Sequence, residues 1–366
     1  MAEGDSPLLM IPGPTPVPAA IRAALAEPVR SHTGPENAAS MRRIQAVLGE
    51  LVGSSRARVH VFSGSGTLSM EAAVVNHAAP GDRVVVVSHG YFGDRFTEIA
   101  DTLGMKVTTL RSEWGRQVDP EALRSAIAAG RPPSLVTFTH VDTSTGVLAD
   151  IAALAGVARE AAPEAVLVVD GVCATGGVVE AMDAWDVDVV FTGAQKALMT
   201  PPGLTILAVS PRAMARRAAL GRISAYYADL QRWDPVVDEP TRYFSTHATS
   251  HLRALEVSVE AIAGEGLERR YARHRRVADA LREGMLGLGF GLMTDPDRLA
   301  PTLSVLALPP GVDDQRLRAG MLERGVVVAG CLGPWAGRGI RVGHMGAVGD
   351  AEVARTLEAA AGAVGR

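Results

Sequence analysis

Seven short apolar runs, at residues 59–62, 84–87, 107–110, 135–139, 166–169, 189–191 and 205–209, alternate with amphipathic stretches along the first part of the chain. Most are rich in β-branched residues and bounded by Gly, Asp or Pro, which predicts strands buried on both faces. Helix signals lie between them. In "VDPEALRSAIAAG", Asp119 stands as N-cap, Pro120 takes the first helical position and Gly130 falls just past the end. Alternation of this length predicts an α/β fold, a mainly parallel sheet with helices on both faces. After about residue 250 the pattern changes. A long helical stretch, 252–288, carries breaks near Gly264 and Gly266; strand-like runs follow at 304–308, 326–328 and 340–342, and a closing helix starts at Asp350. The expected organisation is an N-terminal arm (1–18), a large domain (19–264) and a smaller C-terminal α+β domain (265–366).

Composition changes this picture little. The 366 residues are 47% hydrophobic and 21% charged, enough for a sizeable core and about two domains. The formal net charge of -4 gives no reason to expect nucleic acid or an anionic membrane surface as partner. The basic stretch "ERRYARHRRV" (268–277) reads as a solvated helix face. Two cysteines, Cys173 and Cys331, make neither a disulfide framework nor a metal-ligand spacing, so no metal is expected. No secretory pattern and no membrane-length apolar run are visible, and a cytoplasmic location is expected.

Chemistry concentrates where strands end, the edge at which open α/β sheets bind ligands. After 59–62 comes Ser63-Gly-Ser-Gly-Thr67, leading into a helix. It is either a tight turn with a serine cap or a place where backbone N–H groups and a helix N-terminus meet an anion. It lacks the Lys-Ser/Thr of a Walker loop and the third glycine of a dinucleotide fingerprint. After 84–87, "SHGYFGDR" puts Tyr91 and Phe92 beside glycines, as core or as a stacking platform. After 135–139, "HVDTSTG" offers hydroxyls that could cap the next helix. Asp170 ends the run 166–169, so its carboxylate should be partly buried and need a cationic or hydrogen-bonding partner. Lys196 follows 189–191 in "TGAQKALMTPPG", among small residues. Together these ask for a ligand with a flat ring, a phosphate, a basic ring nitrogen and a carbonyl. Pyridoxal 5′-phosphate has all four, and a lysine Schiff base with an acidic partner for the pyridinium nitrogen is its signature.

The sequence resembles the class V aminotransferases of the alanine–glyoxylate and serine–glyoxylate (serine–pyruvate) group. The resemblance rests on "PGPTPVP", "SGSGT" with "MEAAVVN", "GYFGDR", "HVDTSTGVL", "VVDGVCATGG", "GAQKAL" with "PPG", and "IRVGHMG", in order over nearly the whole chain. It implies the type I pyridoxal-phosphate-dependent transferase fold. It also implies that Lys196 binds the cofactor and acts as general base, and that Asp170 pairs with the pyridine nitrogen. Ser65, Gly66 and Thr67, helped by Gln195, would hold the phosphate. Phe92 and Val172 would cover the two ring faces, and Thr143 would lie near the cofactor's 3′ oxygen. Tyr243 and Thr246 would reach the phosphate of the other subunit of a homodimer, and Arg341 would bind the substrate carboxylate. Some relatives carry Trp at the position of Phe92 and His at that of Thr67, where substrate preference could be tuned.

The implied activity is transfer of an amino group from a small amino acid, alanine or serine, to glyoxylate or pyruvate. Ureidoglycine–glyoxylate or aminoethylphosphonate–pyruvate transfer is the alternative within the transaminases. A cysteine desulfurase would need a mobile nucleophilic cysteine, for which Cys331 in "AGCLGPWAG" is the candidate. A non-catalytic pyridoxal-phosphate-binding scaffold is opposed by the presence of both Lys196 and Asp170.

Overall fold

The computed structural model describes residues 6–365. Regular structure opens with β1 (Leu8–Leu9), and a seven-stranded sheet follows, built from β2 (Arg58–Gly64), β3 (Arg83–Ser88), β4 (Lys106–Arg111), β5 (Leu135–Thr139), β6 (Val166–Asp170), β7 (Val189–Gly193) and β8 (Gly203–Val209). Their order is β2-β8-β7-β6-β5-β3-β4. All seven runs read from the sequence are strands. One difference is direction: β8 lies antiparallel to both β2 and β7, while the other neighbours pair in parallel.

The apolar runs are continuous because the sheet is covered on both sides. Val85, Val87, Val136, Phe138, Leu167 and Val169 pack into one buried cluster, and Val84, Val86, Leu135, Val166 and Val168 into another. Alternate residues of one strand therefore feed opposite cores. The exception is the edge strand β4, whose residues are only half-buried or exposed. Asp119 caps the helix Pro120–Ala128 by accepting from the Glu121 N–H at 3.1 Å, as its sequence position predicts.

The C-terminal part carries a four-stranded antiparallel sheet of β9 (Gly291–Leu292), β10 (Leu303–Ala307), β12 (Ala329–Gly330) and β13 (Gly339–Gly343), in the order β12-β13-β10-β9. The run 326–328 is divided. Its first part, β11 (Val326–Val327), pairs in parallel with β1, and the chain then turns into β12. The long helical stretch is two helices, Thr249–Glu265 and Leu267–Gly287, interrupted at Gly266, whose φ of +81° belongs to the left-handed region that glycine tolerates. The closing helix is Asp350–Val364.

The basic stretch 268–277 is solvated on one side only: Glu268, Arg269, Arg275 and Arg276 are exposed, but the other side is not. Helix Leu267–Gly287 buries Arg270, Tyr271 and His274. Arg270, 1% exposed, donates to Gly176 O and Ala197 O, both at 2.6 Å, and pairs with Glu265 at 2.8 Å. A guanidinium can be buried here because carbonyl oxygens and a carboxylate take up its donors. Among the described residues no helix is long and apolar enough to cross a membrane.

Candidate active site

The strands β2 to β7 all end at the same edge of the large sheet, because β2 and β7 are each antiparallel to β8. At β3 the progression reverses, with β4 on one side and β5 on the other, so the loops after β3 and β5 open the crevice expected at such a switch point. A cavity lies there. It is lined by Ser65, Gly66 and Thr67 after β2, Phe92 and Arg95 after β3, and Thr143 after β5. Asp170, Val172 and Cys173 border it at the end of β6, and Gln195 and Lys196 after β7. Nine of the twelve residues singled out from the sequence thus meet in one place; Tyr243, Thr246 and Arg341 are not among its walls.

Ser65 occupies the N-cap position of helix Gly66–Val75, yet its side chain makes no capping bond. The hydroxyl is left to the cavity, beside a helix start whose first N–H groups have no partner within the helix. Such a helix start binds anions. A Cβ on Gly66 would lie 3.2 Å from Val172 Cγ2, so a larger residue would push the loop into the wall opposite.

The hydroxyl cluster does not cap the next helix, Ile151–Ala161, which Asp150 caps. It caps helix Tyr91–Thr102 instead. Ser144 Oγ accepts from Tyr91 N–H at 2.9 Å, and Asp142 Oδ2 accepts from Phe92 N–H at 3.1 Å and Gly93 N–H at 3.3 Å. The two segments meet because β3 and β5 are neighbours in the sheet. Buried Asp142 thereby fixes the backbone that carries the Phe92 ring into the cavity.

Asp170 is 4% exposed, and its Oδ1 accepts from Val172 N–H at 2.9 Å. Among the described residues it has no ion-pair partner. Burial pushes its carboxyl up to about 7, and the nearby carboxylates of Asp142 and Glu180 push the same way. A cationic nitrogen placed against it would offset that penalty.

Lys196 is held by the N-terminal arm. Its Nζ donates to Pro12 O, while Thr15 Oγ1 donates to Lys196 O at 2.8 Å and Thr15 N–H to Gln195 O at 3.1 Å. Gly13 lies flat on the lysine. Its φ is +115°, and a Cβ there would sit 2.6 Å from Lys196 Cδ. The arm reaches this point from the small sheet, where Met10 N–H donates to Val327 O and Gly343 N–H to Met10 O, each at 2.9 Å. Arg270 grips the carbonyl of Ala197, next along the chain. Neither contact is visible in the sequence pattern; the nearest signal is a glycine set between two prolines in "PGPTPVP".

Arg341 is half-buried on β13. Its Nε donates to Gly330 O at 2.8 Å and its Nη1 to Thr143 O at 3.3 Å. Thr143 thus stands between the cavity and the guanidinium. Among the described residues Arg341 has no carboxylate partner, and burial holds its pKa below the usual arginine value. Tyr243 is 65% exposed and meets the His32 ring edge-on at 5.3 Å, and Thr246 is exposed. Both cysteines are free and buried, and burial pushes each thiol up to about 11. Cys331 therefore lacks the exposed thiolate a desulfurase nucleophile requires. Among the described residues no group of three or more His, Cys, Asp or Glu could hold a metal ion.

Pyridoxal 5′-phosphate fits this cavity on three observations. Among the described residues the buried Asp170 carboxyl has no ion-pair partner. Gln195 Oε1 is buried without a partner, and rotation of its amide would turn N–H donors toward an anion. The uncapped Ser65 and helix start provide further phosphate donors. Fold and site together define a pyridoxal-phosphate-dependent transferase of fold type I.

The chain belongs to the class V aminotransferase family, whose description, Aminotransferase class-V, matches residues 22–333. It is 33% identical over 359 residues to a protein of Synechococcus named soluble hydrogenase, small subunit, covering 97% of this chain and 92% of that one. It is 32% identical to the serine–glyoxylate aminotransferase of Hyphomicrobium methylovorum, covering 97% of this chain and 89% of the relative. Among solved structures, an alanine–glyoxylate aminotransferase of Nostoc superposes with a TM-score of 0.95 at 30% identity, covering 99% and 96% of the two chains.

Proposed function

We propose that this transaminase moves an amino group from a small amino acid, alanine or serine, to glyoxylate or pyruvate. The observation that carries the substrate class is Arg341, a half-buried guanidinium that meets the cavity residue Thr143 through its carbonyl and, among the described residues, has no carboxylate partner. A planar fork suits an α-carboxylate bidentately. The serine–glyoxylate and alanine–glyoxylate names of the relatives support the same donors and acceptor. Ureidoglycine–glyoxylate or aminoethylphosphonate–pyruvate transfer is the competing reading.

When bound, pyridoxal phosphate supplies the carbonyl that receives the amino group and a ring that withdraws electrons. The chain's residues do the rest in this reading. Lys196 Nζ holds the cofactor and, once released, moves the proton off the donor's Cα. Asp170 keeps the ring nitrogen protonated by a charge-assisted bond in a water-poor site. Phe92 and Val172 would pack against the ring, and Thr143, also in the cavity wall, would stand beside it. Ser65, Gly66, Thr67 and Gln195 hold the phosphate, and Arg341 orients the reacting Cα through the carboxylate.

The same reading divides the chain into the arm 1–18, a cofactor-binding domain 19–264 and a small domain 265–366. It makes the active form a homodimer in which Tyr243 and Thr246 complete the partner's phosphate site. It places the protein in the cytoplasm, supported by two free buried cysteines.

A panel of amino donors against glyoxylate and pyruvate, run on the native chain and on Arg341→Lys, tests the assignment. Alanine and serine should lead. Arg341→Lys should lower kcat/KM for α-amino acids by about 1.5–3 kcal/mol or more while sparing amines without a carboxylate. Equal losses for both donor types would remove Arg341 as the anchor, and a leading ureido or phosphonate donor would replace the substrate assignment.

A further inference from the structure

The phosphate cradle described above contains no cation. Ser65, Thr67 and Gln195 offer hydroxyl and amide groups, and the helix start offers about half an elementary charge. A phosphate monoester carries about -1.5 to -2 near neutral pH. A dianion taken out of water needs more compensation than that. Only two cationic side chains border the cavity among the described residues, Lys196 and Arg95. Lys196 is committed to Pro12 O here and to the cofactor's carbonyl when that is bound.

Arg95 is placed differently. It projects from helix Tyr91–Thr102, and its Nη1 lies 3.5 Å from Thr67 Oγ1, at the mouth of the cradle. Its guanidinium carbon stands 4.9 Å from the Phe92 ring centroid and 5.2 Å from that of Tyr91, within cation–π range of both. Among the described residues no carboxylate lies within ion-pair distance of it. Its neighbour Asp94 is engaged by Ser88 and Arg111, at 2.9 and 2.8 Å. The guanidinium is thus oriented by two aromatic faces and reaches the turn at Thr67 with no anionic partner among the described residues.

We infer that Arg95 is the charged member of the phosphate cradle, compensating the cofactor phosphate beside Thr67 while its stacking steadies the Phe92 ring. This rests on the pyridoxal-phosphate reading and adds a residue to it. Arg95 meets Thr67, whereas Arg341 meets Thr143, so the two arginines serve different regions of the cavity. That separation favours the cofactor phosphate over a second acidic group on the substrate as the anion Arg95 holds.

The test titrates cofactor-free native protein, Arg95→Gln and Arg95→Lys with pyridoxal 5′-phosphate and, separately, with pyridoxal, which lacks the phosphate. Absorbance and quenching of intrinsic fluorescence report binding. Arg95→Gln should weaken pyridoxal 5′-phosphate by about tenfold or more and leave pyridoxal within about threefold. Inorganic phosphate should compete with the cofactor in the native protein and lose that competition in Arg95→Gln, and Arg95→Lys should recover part of both. Equal weakening of the two ligands would make Arg95 a purely structural support of Phe92. Unchanged cofactor affinity, with loss confined to donors bearing a second acidic group such as aspartate, would move it to the substrate. Both results overturn the inference and leave the cofactor reading standing, whereas native protein that takes up no pyridoxal 5′-phosphate overturns that reading itself.

Discussion

Asp170 is a buried carboxylate whose burial carries a cost that the proposed cofactor nitrogen would offset. Burial raises it from the ordinary 3.8 to about 7 in the cofactor-free chain. The folded chain then binds that proton more tightly than the unfolded chain. Its contribution to stability is therefore fully present below about pH 4, falls as pH rises, and is lost above about pH 7, a change of at most about 4 kcal/mol. Asn at this position keeps an acceptor for Val172 N–H and has no charge to desolvate. Cofactor-free Asp170→Asn should melt above the native protein at pH 8 and converge with it toward pH 4, as read by calorimetry. A difference in melting temperature independent of pH would contradict the assignment. With cofactor bound the order of merit reverses. The variant should turn over about 10²-fold more slowly, the usual scale for losing one preorganised electrostatic partner.

Among the elements, what could be read from the sequence follows from where each structural signal is stored. The seven strands of the large sheet announce themselves because each is a β-branched run buried on both faces, and such a run needs no context to be recognised. The direction of β8 is not written in its run, since Leu204–Val209 would look the same parallel or antiparallel. The pairing of Leu8 and Leu9 with Val326 and Val327 is two residues long and has no period to detect. Lys196, Asp170 and Phe92 were legible as chemistry at strand ends. What holds them was not. The cap on Phe92 comes from Asp142, fifty residues away in sequence, and the clamp on Lys196 comes from Pro12, 184 residues away. Arg270 misled for a related reason. Its charge suggests solvent, and only the carbonyls of Gly176 and Ala197 make its burial possible.

At the scale of the molecule, the arm ties the C-terminal strands to Lys196 through Met10, Pro12 and Thr15, so segments from both ends of the chain support the position of that lysine. Tyr243 and Thr246 are not among the walls of their own chain's cavity and are exposed; the proposed homodimer would have them serve the partner's site. Mixing Lys196→Ala with a chain altered at both Tyr243 and Thr246 should restore activity in mixed dimers, since one of their sites then draws only intact residues. Mixed dimers that form and stay inactive would refute shared sites. The central claim is that Lys196 and pyridoxal 5′-phosphate transfer an amino group, and a single half-reaction tests it most directly. Native chain reconstituted with the cofactor is given alanine or serine with no acceptor, and the near-visible band and the keto acid are followed together. The account predicts that the band bleaches as about one keto acid per chain appears, that glyoxylate restores it, and that Lys196→Ala does neither. A Lys196→Ala chain that releases keto acid at the native rate, or a native chain whose band is unmoved by every amino acid offered, would contradict it.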